Sequence, residues 1–208
     1  MRPGCRTWAG LSRYAGGTMR IIAGRFRSRT LEAPAGMATR PSSDRLRETL
    51  FNVLVPRIEG AAFLDLYAGS GAVGIEALSR GAASVVFVER APAALKVLRG
   101  NLARLGIDTG FRIAPGAAGA YLRRARQGRA AGFKLVFLDP PYDAGEEYAA
   151  TLGLLGGAAA GMLEADALVI AEHRRKQQLE PAYGRLHRVR LLEQGDAALS
   201  FYEVAAAI

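Results

Sequence analysis

From residue 63 to residue 138 the chain alternates short apolar runs with longer runs of helical periodicity, and this alternation restricts its fold more than any other property of the sequence. The apolar runs predict strands over 63–66, 84–88, 111–114 and 135–138. The intervening segments predict helices over 73–80, 92–105 and 117–126. Strands that alternate with helices across short loops form a parallel sheet covered on both faces, so an α/β fold of the Rossmann-like type follows. A further helix over 147–155 and a buried strand over 167–171 continue the pattern. The last two strands, over 188–192 and 199–204, are separated by too few residues for a parallel crossover and must form an antiparallel hairpin at the end of the sheet.

Upstream of this unit, Leu46, Leu50 and Leu54 recur at helical spacing beside Phe51 and Val53, predicting a helix over 44–55 that Pro56 ends. Residues 20–33 read as a short hairpin or extended arm carrying Arg20, Arg25, Arg27 and Arg29. Residues 1–18 are rich in Gly and Arg without periodicity and read as a disordered tail, or as lying ahead of a true start at Met19. The expected organisation is a tail over 1–18, a basic arm and helix over 19–60, and the α/β domain over 61–208.

Charge is unevenly placed. Of a net +9, residues 1–60 hold eleven arginines against four acids, whereas the remaining residues are nearly balanced. A lopsided positive face suits a polyanion, because phosphate neutralisation supplies most non-specific nucleic-acid affinity. One cysteine, Cys5, permits no internal disulfide, and neither histidine lies at a metal-ligand spacing from it, so no metal site is expected and a reducing, cytoplasmic setting fits. No apolar stretch reaches the roughly 18 residues of a spanning helix, so no membrane partner is expected.

Two segments carry chemistry. Gly69-Ser70-Gly71-Ala72-Val73-Gly74 is a G-x-G-x-x-G sequence after a predicted strand and before a predicted helix, the context in which its glycines let a nucleoside cofactor approach the backbone. Glu89 ends the second strand, 20 residues after Gly69, where a carboxylate accepts hydrogen bonds from ribose hydroxyls. Dinucleotides and S-adenosylmethionine both meet this description. The second segment, Asp139-Pro140-Pro141-Tyr142, ends an apolar strand with two residues that lack N–H donors but keep carbonyl acceptors, followed by an aromatic ring. With strands ordered 3-2-1-4-5, the Gly69 and Asp139 loops leave adjacent strands at the switch point where α/β sheets bind ligands.

Together these residues resemble a class I S-adenosylmethionine-dependent methyltransferase of the amino-methylating kind. Arg40-Pro41-Ser42-Ser43-Asp44-Arg45-Leu46-Arg47-Glu48-Thr49-Leu50-Phe51-Asn52, followed by Leu64-Asp65-Leu66-Tyr67-Ala68-Gly69-Ser70-Gly71, narrows the resemblance to the RsmD family of bacterial 16S rRNA guanine-N2 methyltransferases. The resemblance implies seven strands with the last inserted antiparallel and rRNA of the small ribosomal subunit as substrate; a monomer is expected. It implies cofactor contacts from Asp65, Tyr67, Gly69, Ser70, Gly71, Glu89 and Arg90, and a target-amine site at Asp139, Pro140 and Tyr142. RNA-contact candidates are Arg25, Arg27, Arg29, Arg40, Arg45 and Arg47, with Arg47 and Glu48 also placed to brace the amino-acid end of the cofactor.

The chain departs from the family in placing Arg90 and Ala91 after Glu89, and Ala117 where relatives often carry Asn or Asp, which leaves adenine recognition to backbone or a neighbour. His173 reads as a structural histidine. A DNA adenine-N6 methyltransferase uses the same corner but usually adds a target-recognition domain for which this chain has no room. A release-factor glutamine methyltransferase places Asn where Asp139 stands. A nicotinamide-binding Rossmann oxidoreductase leaves the corner unexplained, and a non-catalytic RNA-binding module leaves the glycine loop unexplained.

Overall fold

The computed structural model describes residues 19–33, 41–125, 132–141 and 145–205. Arg40, Tyr142 and the segment 1–18 lie outside the described residues. Met19–Arg20 (β1) and Thr30–Leu31 (β2) pair antiparallel, as the hairpin reading expects. Pro41–Ile58 (α1) leads into Ala62–Leu66 (β3), Ala72–Ser79 (α2), Ser84–Glu89 (β4), Pro92–Leu105 (α3), Phe111–Pro115 (β5), Ala118–Ala125 (α4) and Phe133–Leu138 (β6). Gly145–Gly156 (α5), Leu163–Arg174 (β7), Ala182–Tyr183 (β8), Leu186–Gln194 (β9) and Ala197–Val204 (β10) complete the chain.

The main sheet runs β5-β4-β3-β6-β7-β10-β9-β8. Its first five strands are parallel and match the expected 3-2-1-4-5 order. The final strand, β10, is inserted antiparallel between β7 and β9. Two features differ from expectation. The two-residue β8 adds an eighth strand, too short to show an apolar period. Helix α1 runs through Pro56 to Ile58, because a proline in the last turn sacrifices one hydrogen bond while its fixed φ stays helical, and buried Ile58 continues the Leu50 and Leu54 stripe.

Alternation along each strand divides the apolar side chains between two cores. Phe63, Phe87, Phe137 and Ile170 face α1, α2 and α3. Leu64, Val88, Leu138 and Ala171 face α4 and α5. The hairpin belongs to the first core, into which it buries Met19, Ile21 and Leu31.

A buried carboxylate secures that docking. Glu76 on α2 is 0% exposed and accepts hydrogen bonds from Ile22 N at 2.8 Å, Ala23 N at 3.0 Å and Arg80 Nε at 2.7 Å. Arg47 Nε approaches the same carboxylate at 4.0 Å. One turn on, the Ser79 hydroxyl accepts from Phe26 N and its carbonyl accepts from Arg25 N. Gly24 makes the contact possible, since a Cβ there would stand 1.8 Å from the Ser79 carbonyl oxygen and its φ is +82°. Replacing Glu76 with Ala strands two backbone donors and the Arg80 guanidinium and is expected to destabilise the protein by about 3–5 kcal/mol in urea unfolding. A loss below about 1 kcal/mol contradicts the anchoring role.

Candidate functional site

The parallel register brings the carboxyl ends of four strands to one level. Leu66 of β3 pairs with Val88 of β4 and Leu138 of β6, and Leu138 pairs with Ala171 of β7. The next residue on each strand therefore forms a row along the sheet edge: Glu89, Tyr67, Asp139, Glu172. This is the switch point, with β4 on one side of β3 and β6 on the other.

The glycine loop folds over β3 at this edge. Tyr67 adopts φ +65°, a left-handed conformation uncommon outside glycine, and its hydroxyl hydrogen-bonds Thr151 Oγ1 on α5 at 2.7 Å. Burial pushes the Tyr67 phenol up to about 12, so it stays protonated. Gly71 caps α2 at φ +82°, where a Cβ would meet Leu98 Cδ1 at 2.3 Å. Gly69 also has positive φ, yet a Cβ there would find nothing closer than 4.0 Å, so a ligand can lie against its backbone. Glu89 reaches across from β4, accepting from Gly69 N at 2.8 Å and from Ala91 N at 2.6 Å. Each oxygen keeps a lone pair for a ribose hydroxyl. These features fit the nucleoside end of S-adenosylmethionine.

Other residues brace the loop from below. Asp65 is 2% exposed and accepts from Gly74 N at 2.9 Å, so it holds the start of α2 rather than lining the surface expected for a cofactor contact. Desolvation pushes its carboxyl up to about 8 against the Gly74 hydrogen bond, with the charges of Asp139 and Glu89 adding to the rise. Asn101, which the sequence reading passed over, is fully buried on α3 and donates to the Ser70 carbonyl at 2.9 Å. Arg90 is exposed and pairs with Glu147 at 3.5 Å.

Across the switch point, Asp139 is half-buried and Pro140 buried. Burial raises the Asp139 carboxyl to about 7. Among the described residues no group donates a hydrogen bond to that carboxylate. Glu172, next in the row, is likewise half-buried. Desolvation first and the charge of Asp139 second hold its carboxyl well above the usual range, against a downward pull from Arg47. The sequence reading weighed His173 and missed Glu172, although a carboxylate at the carboxyl end of the strand after β6 was a usable signal. His173 is the structural residue expected, 2% exposed and hydrogen-bonded to Ser200 Oγ and the Arg174 carbonyl, with burial lowering its pKa.

The arginine candidates separate. Arg25, Arg27, Arg29 and Arg45 are exposed. Arg47 is not: it is 6% exposed, donates to the Arg20 carbonyl at 2.6 Å and to Asp44 at 3.0 Å, and faces Glu76, so direct RNA contact by this residue is corrected to a structural role. Its position, three residues before Leu50 on the core stripe of α1, is the reason.

The raised Asp65 pKa has a defined sign in stability. A carboxyl whose folded pKa lies above its unfolded value near 3.8 contributes most below that value and loses the contribution as pH rises toward about 8. Asp65→Asn keeps an acceptor for Gly74 N. Its advantage over the parent protein in thermal unfolding without ligand is expected to grow between pH 4 and 8, by up to about 1.4 kcal/mol per pH unit, and to level off above. A difference independent of pH contradicts this.

Comparison with known proteins agrees with this geometry. The family model described as conserved hypothetical protein 95 matches residues 19–203. The Escherichia coli K12 protein named ribosomal RNA small subunit methyltransferase D is 38% identical over 191 residues, covering 90% of each chain. The solved structure of Escherichia coli yhhF superposes with a TM-score of 0.79 at 34% identity, covering 92% of this chain and 100% of the other. A hypothetical protein of Thermus thermophilus superposes with a TM-score of 0.72 at 34% identity, covering 89% of this chain and 99% of the other. The chain belongs to the RsmD family of class I methyltransferases.

Proposed function

We propose that this protein transfers the methyl group of S-adenosylmethionine to the exocyclic N2 amine of a guanine in bacterial 16S rRNA of the small ribosomal subunit. The observation that carries the reading is the half-buried Asp139 carboxylate, which no group among the described residues hydrogen-bonds, beside Pro140 and one strand away from the Gly69 loop. The name of the Escherichia coli relative supports rRNA as the substrate.

The guanine amine is a weak nucleophile because its lone pair is delocalised into the ring. Asp139 and the Pro140 carbonyl each accept one amine hydrogen, drawing the nitrogen toward tetrahedral geometry and freeing the lone pair. The Asp139 bond is charge-assisted and the stronger of the two. Tyr142 stacks on the base, which must be unpaired or flipped to reach the site. S-adenosylmethionine supplies an electrophilic methyl on a sulfonium. Asp139 would take the proton that N2 surrenders on methylation and pass it to water. Gly69 admits the cofactor to the backbone, Gly71 turns the loop into α2 against Leu98, Glu89 holds the ribose, and Asp65 and Asn101 keep the loop in shape. Arg25, Arg27, Arg29 and Arg45 present positive charge to the phosphates.

Mass spectrometry of rRNA nucleosides from cells with and without the gene tests the assignment: loss of one N2-methylguanosine is expected, and an unchanged profile or a lost N6-methyladenosine overturns it. Asp139→Ala is expected to lower turnover by about 10²–10⁴-fold while cofactor affinity, read by calorimetry, stays within a few fold. Because the ionised form is the acceptor and burial holds its pKa at about 7, single-turnover rates should rise from pH 6 to 8 and then level; a rate falling over that range contradicts the role. Charge reversal of Arg25, Arg27 and Arg29 should reduce the slope of log K against log salt for RNA binding by about 2, and an unchanged slope excludes them.

A further inference from the structure

Glu172, two residues before the end of β7, stands beside Asp139 in the row, yet nothing in the mechanism above uses it. Register places the two side by side, because Leu138 pairs with Ala171 and both carboxylates come one residue later. Alternation then fixes their direction. Phe137 and Ile170 face the first core, Leu138 and Ala171 face the second, so Asp139 and Glu172 turn back together toward the face covered by α1. Tyr148 secures the strand end by donating to the Glu172 carbonyl at 2.9 Å.

An unpartnered carboxylate half removed from water is costly unless something supplies donors to it. Among the described residues, neither the Glu172 nor the Asp139 carboxylate takes a hydrogen bond or an ion pair within 4.0 Å. Arg47 acts on Glu172 only as a charge at a distance: its guanidinium donates to the Arg20 carbonyl and Asp44, its buried Nε points toward Glu76 without a hydrogen bond, and no contact within 4.0 Å joins it to Glu172 among the described residues. Nor do these acids form a cluster able to hold a metal ion among the described residues. What remains is a pair of acceptors carried by adjacent strands, whose backbones run about 4.8 Å apart, at the edge where the target base must lie.

We propose that Glu172 is a specificity-determining residue that reads the N1–H and O6 positions of the guanine whose N2 amine Asp139 holds. The proposal rests on the guanine-N2 reading. The Watson–Crick edge of guanine runs acceptor, donor, donor through O6, N1–H and N2–H. A carboxylic acid at Glu172 offers O–H and C=O, the complement of O6 and N1–H, while an ionised Asp139 accepts from N2. Two neighbouring desolvated carboxyl groups that share one proton produce this combination, because both cannot ionise at low cost. Each atom of the edge then has a partner, and the two acids exchange their desolvation cost for hydrogen bonds.

The test uses rRNA substrate carrying either guanosine or 1-methylguanosine at the mapped methylation position. The wild-type protein is expected to form N2-methylguanosine on the first and to reject the second by at least about 100-fold in kcat/KM, since the added methyl removes the N1–H and strikes the Glu172 carboxyl. Glu172→Ala should narrow that ratio by about tenfold or more while lowering activity on guanosine. Glu172→Gln, which keeps a donor and an acceptor, should retain guanosine activity within about tenfold of wild type. Cofactor affinity by calorimetry should be unchanged in both variants. Equal use of the two substrates by the wild-type protein overturns the proposal without any variant, and so does an Ala variant with an unchanged ratio, because a merely structural role does not move substrate preference. Failure of the wild-type protein to make N2-methylguanosine on unmodified RNA instead overturns the guanine-N2 reading and this proposal with it.

Discussion

Leu66 pairs sideways with Val88 and Leu138, and Leu138 pairs with Ala171, so β3 and β6 stop at one level and the residues that follow stand in a row with Glu89 of β4 and Glu172 of β7, beside the glycine loop. A slip of one residue between β3 and β6 would turn Asp139 to the opposite face of the sheet and separate it from the glycine loop. Register is in turn set by the two cores. Phe63, Phe87 and Phe137 are buried on one face and Leu64, Val88 and Leu138 on the other, so every strand is pinned from both sides.

That rigidity permits a site that would otherwise be unstable. Asp65, Asp139 and Glu172 are carboxyl groups whose pKa values burial raises, with Glu89 and one another adding charge repulsion. Tyr67 holds a left-handed backbone at the same edge. Each of these destabilises the protein without ligand, and each is tolerated because the surrounding apolar layers over-determine the backbone. On the proposed function, a base presenting N–H donors and a cofactor carrying positive charge would relieve the same groups that the fold leaves strained, making ligand binding and relief of desolvation one event.

The α/β alternation, the switch point and both loops were legible in the sequence because each depends on local periodicity or on turn chemistry within a few residues. The latch between Glu76 and residues 22 and 23 was not, since it joins positions 54 and 53 residues apart and leaves no periodic trace. Asn101 was hidden for the same reason, as an amide inside an ordinary helical pattern that acts on Ser70, 31 residues away. Glu172 was hidden differently. Its neighbour His173 satisfies both ring nitrogens within the protein, whereas the carboxylate of the plain acid beside it takes no hydrogen bond among the described residues.

Helix α1 shows how one residue type divides its work by position. Arg45 and Arg47 are two residues apart, which on an α-helix is roughly 200° of rotation. Leu46, Leu50, Phe51, Leu54 and Ile58 mark the buried stripe, and Arg47 lies on it while Arg45 lies off it. Arg47 accordingly serves the interior, joining α1 to the hairpin through the Arg20 carbonyl and to α2 through Glu76. A phosphate cannot recruit it without undocking the arm that carries Arg25, Arg27 and Arg29. The exposed basic face is thus held in position by an arginine that does not belong to it, and neutralising Arg47 would weaken RNA binding through geometry rather than through charge.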